Sequence, residues 1–222
     1  MIHEKHSTTS KGKINKSVPF IHAHLGETNK GTIAGTVGKA TGAARHVREW
    51  EALGFPQARQ IMVEMDLQTY LGLAQWAEKT RYRGQVFHGT MTQALDKFPE
   101  IVQVDFDVLA FNPEALKTLQ ALAIHRIAKF SCTFTTRGNP SLIEALARKF
   151  RISRVRATGG ANFGKLQYPT VSVIHSQIRA LFDTHYNVSR DFPYTGVCES
   201  RKDGQGERGT PMVTFAVRSK ES

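Results

Sequence analysis

The sequence predicts an α/β protein built on a doubly wound, mostly parallel sheet that ends in a C-terminal antiparallel β-hairpin. Three observations carry this expectation. Short apolar runs alternate with segments of helical periodicity between residues 43 and 150. Two Asn-Pro pairs, Asn112-Pro113 and Asn139-Pro140, each stand a few residues after such a run. Asn is a favoured N-cap and Pro is favoured at the first helical position, so each pair reads as a helix start. The last third holds two strand-like segments joined by a polar, Gly-containing turn, which is a hairpin signature. A β-α-β alternation with ordinary connections implies a parallel sheet with right-handed crossovers.

In chain order, residues 1–17 are polar, Lys-rich and aperiodic. They are expected to form a flexible basic arm ahead of one α/β domain at 18–222. Residues 18–25 (VPFIHAHL) read as a short strand, with His22 and His24 on one face because strand side chains repeat every two residues. No third ligand accompanies them, so no metal is assigned. Residues 26–42 form the most glycine-dense stretch. The helix expected over 43–53 places Val47, Trp50 and Leu53 on one face, and Gly54-Phe55-Pro56 stops it. A strand at 60–65 (QIMVEM) leads to a helix at 67–79, and a brief strand at 85–88 to a helix at 91–97. A buried strand at 101–106 (IVQVDF) precedes the helix 114–126, and a strand at 129–135 precedes the helix 141–150. Residues 151–173 are weakly periodic and read as a loop or extended insertion. A last helix at 174–183 is followed by strands at 192–199 and 211–218 around the turn 200–209 (SRKDGQGERG).

Composition narrows the function classes. The formal charge is +11 over 222 residues, which favours a polyanionic partner. Two distant cysteines, Cys132 and Cys198, exclude a disulfide scaffold and a Cys-based zinc site. No apolar run approaches the ~20 residues of a membrane span, so no membrane partner is expected. The first 17 residues lack an apolar core of signal-peptide type, and the expected compartment is the cytoplasm. Cys132 and Ser131 fall within a strand, and no G-x-S-x-G motif supports nucleophilic catalysis. A P-loop is excluded, because Ile33 and Ala40 stand where Gly and Ser/Thr are needed around Gly38-Lys39. The dinucleotide fingerprint G-x-G-x-x-G is also not met.

Acidic residues at strand ends form the strongest constellation. Glu64 and Asp66 close one apolar run, and Asp105 and Asp107 close another. In open α/β sheets, ligands bind beyond the carboxyl ends of the strands. A carboxylate ending the second strand can accept hydrogen bonds from both ribose hydroxyls of a nucleoside. The glycines of 35–42 precede it by a helix-length interval, and glycine lets the backbone approach a ligand closely. These features suggest a nucleoside-containing cofactor.

On these residues the chain resembles the class I, Rossmann-like S-adenosylmethionine-dependent methyltransferases over roughly residues 30–218. The matching segments are Gly35–Gly42 (GTVGKATG), Val63-Glu64-Met65-Asp66, Val104-Asp105-Phe106-Asp107 and the terminal hairpin. The resemblance implies S-adenosylmethionine as cofactor, with Gly35, Gly38 and Gly42 bordering its methionine part and Glu64, beside Asp66, holding the ribose. It places Gly89 and Thr90 near the adenine, and Asp105 and Asp107 facing the methyl donor and its target.

A second constellation is basic. No acid occurs between Ala145 and Phe182, while Arg148, Lys149, Arg151, Arg154, Arg156 and Lys165 cluster there. Phe150, Phe163 and Tyr168 are interleaved with them. Cations neutralise phosphates and aromatic rings stack on exposed bases, so this insertion is the candidate nucleic-acid surface. The leading expectation is methyl transfer to nucleic acid. Two alternatives stay open: a non-catalytic nucleic-acid-binding or assembly protein, favoured by the absence of a regular G-x-G-x-G, and a metal-dependent nuclease using Glu64, Asp66, Asp105 and Asp107.

Overall fold

A computed structural model describes residues 20–27, 30–108, 111–135, 138–156, 164–182, 184–200 and 207–221. The basic arm at 1–17 and the hairpin tip at 201–206 lie outside the described residues. The strands are β1 (Thr32–Gly35), β2 (Gln60–Glu64), β3 (Gln85–His88), β4 (Ile101–Val108), β5 (Lys129–Thr135), β6 (Val155–Arg156), β7 (Leu166–Gln167), β8 (Tyr186–Ser200) and β9 (Glu207–Ser219). The helices are α1 (Ala40–Ala52), α2 (Leu67–Thr80), α3 (Met91–Lys97), α4 (Pro113–Ile124), α5 (Pro140–Lys149) and α6 (Thr170–Phe182). Among the described residues seven strands form one sheet in the order β3-β2-β1-β4-β5-β9-β8. The pairings from β3 through β5 are parallel, and β9 runs antiparallel to both β5 and β8. The doubly wound sheet with a reversed terminal pair is therefore as the sequence predicts.

Two layers of helix bury the sheet. Residues 20–25, α1 and α2 cover one face through Ile21, Leu25, Ala43, Val47, Trp50 and Leu73. Helices α3 to α6 cover the other, where Phe106, Phe111 and Phe215 set their rings around Phe134. Both Asn-Pro starts act as read: Asn112 Oδ1 accepts from Ala115 N at 2.9 Å, and Asn139 Oδ1 from Leu142 N at 3.0 Å. Cys132 is a buried core residue, and no described helix is long and apolar enough to cross a membrane.

Several expectations are corrected. Residues 20–25 are helical rather than extended. Helical spacing brings Ile21 and Leu25, four apart, onto the α1 face, and His24 Nδ1 donates to Phe20 O at 2.8 Å. His22 and His24 therefore do not share a face as strand residues would. The first strand is Thr32–Gly35, inside the glycine-rich stretch, and all four of its residues are buried. Helix α1 starts at Ala40, three residues earlier than read. The insertion 151–173 is not all loop: β6 and β7 pair as a short antiparallel ribbon, and α6 begins at Thr170. Strand β8 starts at Tyr186 and β9 at Glu207, with register shifts between Asp191 and Tyr194 and between Val197 and Ser200.

The two faces of the inner strands differ in chemistry. On the α3–α6 face they present Val104, Phe106, Phe130, Cys132, Phe134, Val213, Phe215 and Val217, all apolar and buried. On the α1 face the same strands carry Gln103, Asp105, Ser131, Thr133 and Thr214, all polar and still buried. Thr133 and Thr214, in register on β5 and β9, bond hydroxyl to hydroxyl at 3.1 Å.

Candidate functional site

Strand order reverses between β1 and β4, because β2 and β3 lie on one side of β1 while β4 and β5 lie on the other. Doubly wound sheets take their ligands at the carboxyl ends of the strands beside such a switch point. The chain leaves β1 at Gly35 and reaches α1 through Thr36, Val37, Gly38 and Lys39. A Cβ on Gly35 would overlap the Trp50 ring and stand 2.5 Å from Asp105 O. Only glycine fits there. Gly38 has φ +63°, in the left-handed region that glycine adopts without strain. Gly42 lies on the buried side of α1, where a Cβ would come 3.3 Å from Val37 O. Lys39 is the N-cap of α1 and supplies no side-chain cap, and no acid stands in the first turn.

The loop is tied to β4 rather than left to its own sequence. Thr36 N donates to Asp105 O at 3.1 Å, and Asp107 N donates to Thr36 Oγ1 at 3.0 Å. Thr36 was not singled out by the sequence, and only its place between Gly35 and Gly38 hinted at it. Glu64, half-buried, ends β2 at the same edge. Gly89 N donates to Glu64 O at 3.0 Å, which fixes the backbone beneath the carboxylate, and Asp66 N donates to Glu64 Oε1 at 2.9 Å. Met65 and Leu67 beside it are 59% and 51% exposed, an apolar flank for whatever Glu64 holds.

The structure separates the sequence-named residues into three groups. Gly35 ends β1, Gly38 lies in the loop that follows it, Glu64 ends β2, and Asp107 lies one residue before the end of β4. Asp66 and Thr90 are helix caps. Asp66 Oδ1 accepts from Thr69 N and Thr69 Oγ1 at 2.9 and 2.8 Å. Thr90 and Gln93 form a reciprocal capping box on α3, at 3.2 and 2.8 Å. Gly89 is needed because a Cβ would meet the Phe87 ring at 2.7 Å and Gln93 Oε1 at 2.8 Å. Asp105 forms the third group. It lies within β4 and not beyond its end, at 2% exposure, and its oxygens accept from Trp50 Nε1 at 3.0 Å and Ser131 Oγ at 2.7 Å. The expectation that Asp105 faces a reacting atom is thus replaced by a buried anchor under the loop, and Asp107 stands two residues further along β4. Among the described residues no three His, Cys, Asp or Glu side chains converge to hold a metal ion. Thr90→Ala is expected to cost about 1 kcal/mol of stability, as lost caps do, and to leave ligand affinity unchanged; thermal melting with calorimetric titration checks both.

The six predicted nucleic-acid-binding cations are all exposed. Arg148 and Lys149 end α5, Arg151 follows with φ +55°, Arg156 lies in β6, and Lys165 leads into β7. Glu144 accepts from Arg148 Nη2 at 2.8 Å and from Arg154 Nη2 at 3.4 Å, and the bond to Glu144 raises the Arg148 pKa further. The interleaved aromatics are not free stacking platforms. Phe150 and Tyr168 are partly buried against the core, and Lys149 Nζ and Arg154 Cζ sit 5.2 and 5.0 Å from their ring centres. Phe163 lies outside the described residues. Gly138 bridges Phe111 just past the end of β5, and a Cβ there would stand 3.3 Å from Thr170 Cγ2 at the start of α6.

Solved structures decide the fold family. A magnesium protoporphyrin IX methyltransferase from Synechocystis PCC 6803 with bound SAH superposes with TM-score 0.54 and 13% identity, over 98% of this chain and 85% of that one. The chain has the methyltransferase fold. An rRNA methylase from Streptococcus thermophilus matches with TM-score 0.51 and 8% identity, over 91% and 93% of the two chains. A precorrin-6y C5,15-methyltransferase from Geobacter metallireducens matches with TM-score 0.51 and 10% identity, over 91% and 87%. No family model and no curated protein matches the chain.

Proposed function

We propose that this protein is an S-adenosylmethionine-dependent methyltransferase acting on nucleic acid. The observation that carries the reading is Glu64: a half-buried carboxylate ending β2, the strand beside β1, its backbone pinned by Gly89. A nucleoside cofactor fits this set. The Glu64 carboxylate accepts from ribose hydroxyls, the apolar Met65 and Leu67 flank lies beside it, and the α1 N-terminus carries no competing side-chain cap. The cofactor, when bound, supplies an electrophilic methyl group on a sulfonium. The chain contributes orientation, worth several orders of magnitude when reacting atoms are held in line. In this reading Asp107 holds the acceptor and takes its proton.

The nucleic-acid part of the reading rests on the +11 charge and on six exposed cations that follow one another from the end of α5 to the start of β7. One neighbour in fold is an rRNA methylase, whereas two others are named for protoporphyrin and precorrin. A second reading is a non-catalytic binding or assembly protein on the same fold. It is favoured by Val37, which fills the loop position between Gly35 and Gly38 with a buried side chain. Calorimetric titration with S-adenosylmethionine and S-adenosylhomocysteine separates the two. Micromolar binding that Glu64→Ala weakens at least about 100-fold, the scale of a lost charge-assisted hydrogen-bond pair, supports the enzyme. No heat from a folded wild-type protein supports the binding protein.

A further inference from the structure

We propose that Asp105 is a positioning residue: through the Trp50 indole it sets the β1–α1 loop in the geometry that receives the cofactor. The inference deepens the cofactor reading above and rests on it. The chain of interactions starts at a missing side chain. Gly35 and Asp105 are register partners on adjacent strands. Because Gly35 has no Cβ, the Trp50 ring from α1 lies over it, in the space a side chain would fill. From there the indole Nε1–H reaches sideways to the next strand and donates to Asp105 Oδ2 at 3.0 Å. Ser131, the register partner of Asp105 on β5, donates to Oδ1 at 2.7 Å and holds the carboxylate from the far side. The same Asp105 backbone accepts from Thr36 N at 3.1 Å, and the Asp107 backbone donates to Thr36 Oγ1 at 3.0 Å.

One residue thus fixes the loop twice. Its side chain fixes the helix after the loop, through Trp50, and its carbonyl fixes the loop's first residue. A carboxylate at 2% exposure is costly to bury and is tolerated only when hydrogen bonded. A purely structural contact between α1 and β4 needs no such group, since the opposite face of the same strands packs with Val104 and Phe106. What a directional acceptor adds is one fixed orientation of the Trp50 ring, and with it one height of α1 and its N-terminal turn above the sheet. The charge is not what matters. Asparagine at 105 would offer its carbonyl to Trp50 and its amide hydrogens to Ser131, whose hydroxyl can accept as readily as donate.

The experiment is a double-mutant cycle on the full chain, read as the dissociation constant for S-adenosylhomocysteine at a temperature where melting shows every variant folded. Asp105→Ala and Trp50→Phe are each expected to weaken binding about tenfold, on the scale of a displaced binding group. The double variant is expected to bind within about threefold of either single one, because both remove the same link. Asp105→Asn is expected to rescue binding to within about threefold of the wild type, since both of its partners are satisfied. If Asp105→Ala does not fold, Trp50→Phe and Asp105→Asn alone decide: weakened binding in the first and near-normal binding in the second uphold the link. Folded Asp105→Ala or Trp50→Phe with wild-type affinity, effects that multiply in the double variant, or loss of binding in Asp105→Asn each overturn it. A wild-type chain that binds no S-adenosylhomocysteine overturns the cofactor reading itself and this inference with it.

Discussion

Gly35→Ala is expected to cost about 3 kcal/mol of stability, the upper end of what overpacking usually does. The added methyl would overlap the Trp50 ring and come 2.5 Å from the Asp105 carbonyl oxygen. Neither neighbour gives way easily. Trp50 is fully buried, and Asp105 O belongs to the central strand of the sheet. In a chain of this size about 3 kcal/mol lowers the melting temperature by roughly 6–12 °C. Gly72→Ala is the matched control, because nothing lies within 4 Å of a Cβ there and the residue sits inside α2. It should instead stabilise by about 0.8 kcal/mol through helix propensity. Opposite shifts in the two melts confirm the contact. A Gly35→Ala melt equal to wild type would mean that the Trp50 ring does not sit over β1.

The second large effect concerns the ribbon. Reversing Arg151, Arg154, Arg156 and Lys165 to Glu is expected to weaken binding of a single-stranded oligonucleotide at least about 100-fold at moderate salt. The slope of log affinity against log salt should become shallower by about 3, at roughly 0.7 for each phosphate no longer neutralised. All four side chains are exposed, so the melting temperature should hardly change. A fluorescence-anisotropy titration at several salt concentrations measures both quantities. Unchanged slope and affinity in the folded variant would remove the ribbon from the interface and leave the +11 charge without a local address.

Much of the fold was legible in the residues. Apolar runs marked β2 to β5, and the two Asn-Pro pairs placed the starts of α4 and α5. Strand β1 was hidden because four residues between glycines carry too little pattern, and their burial comes from β2 and β4 on either side. Residues 20–25 were read with the wrong period, because a six-residue apolar segment fits a strand or a helix equally and packing chose between them. The strictly alternating IVQVDFDV of β4 is the usual mark of a strand half in water, yet here both faces are buried.

Glu64 ends β2, and Asp66 and Thr90 stand just past the ends of β2 and β3 but serve as helix caps, whereas Asp107 lies within β4. Thr90-x-x-Gln93 is a capping-box spacing, a signal present in the sequence and the stronger of its two readings. Asp105 looked like a strand-end acid because β4 runs two residues past Phe106. That its carboxylate would meet Trp50 and Ser131 depends on register with β1 and β5, which no local pattern encodes. The basic cluster was legible as charge, but not the burial of Phe150 and Tyr168 beneath it.

The placement of β9 also has a bearing on how the molecule comes to be assembled. It is the last in sequence of the strands among the described residues, yet it lies inside the sheet, between β5 and β8. Until its residues leave the ribosome, β5 has no neighbour on that side and β8 has none at all. Each waits with unsatisfied backbone groups that invite pairing with other chains. Lys129 can meet Arg218 only after the 88 residues between them have been made. Such distant pairings are slow to form. Loss of β9 would undo two strands rather than one, which makes it the guardian of its neighbours' edges.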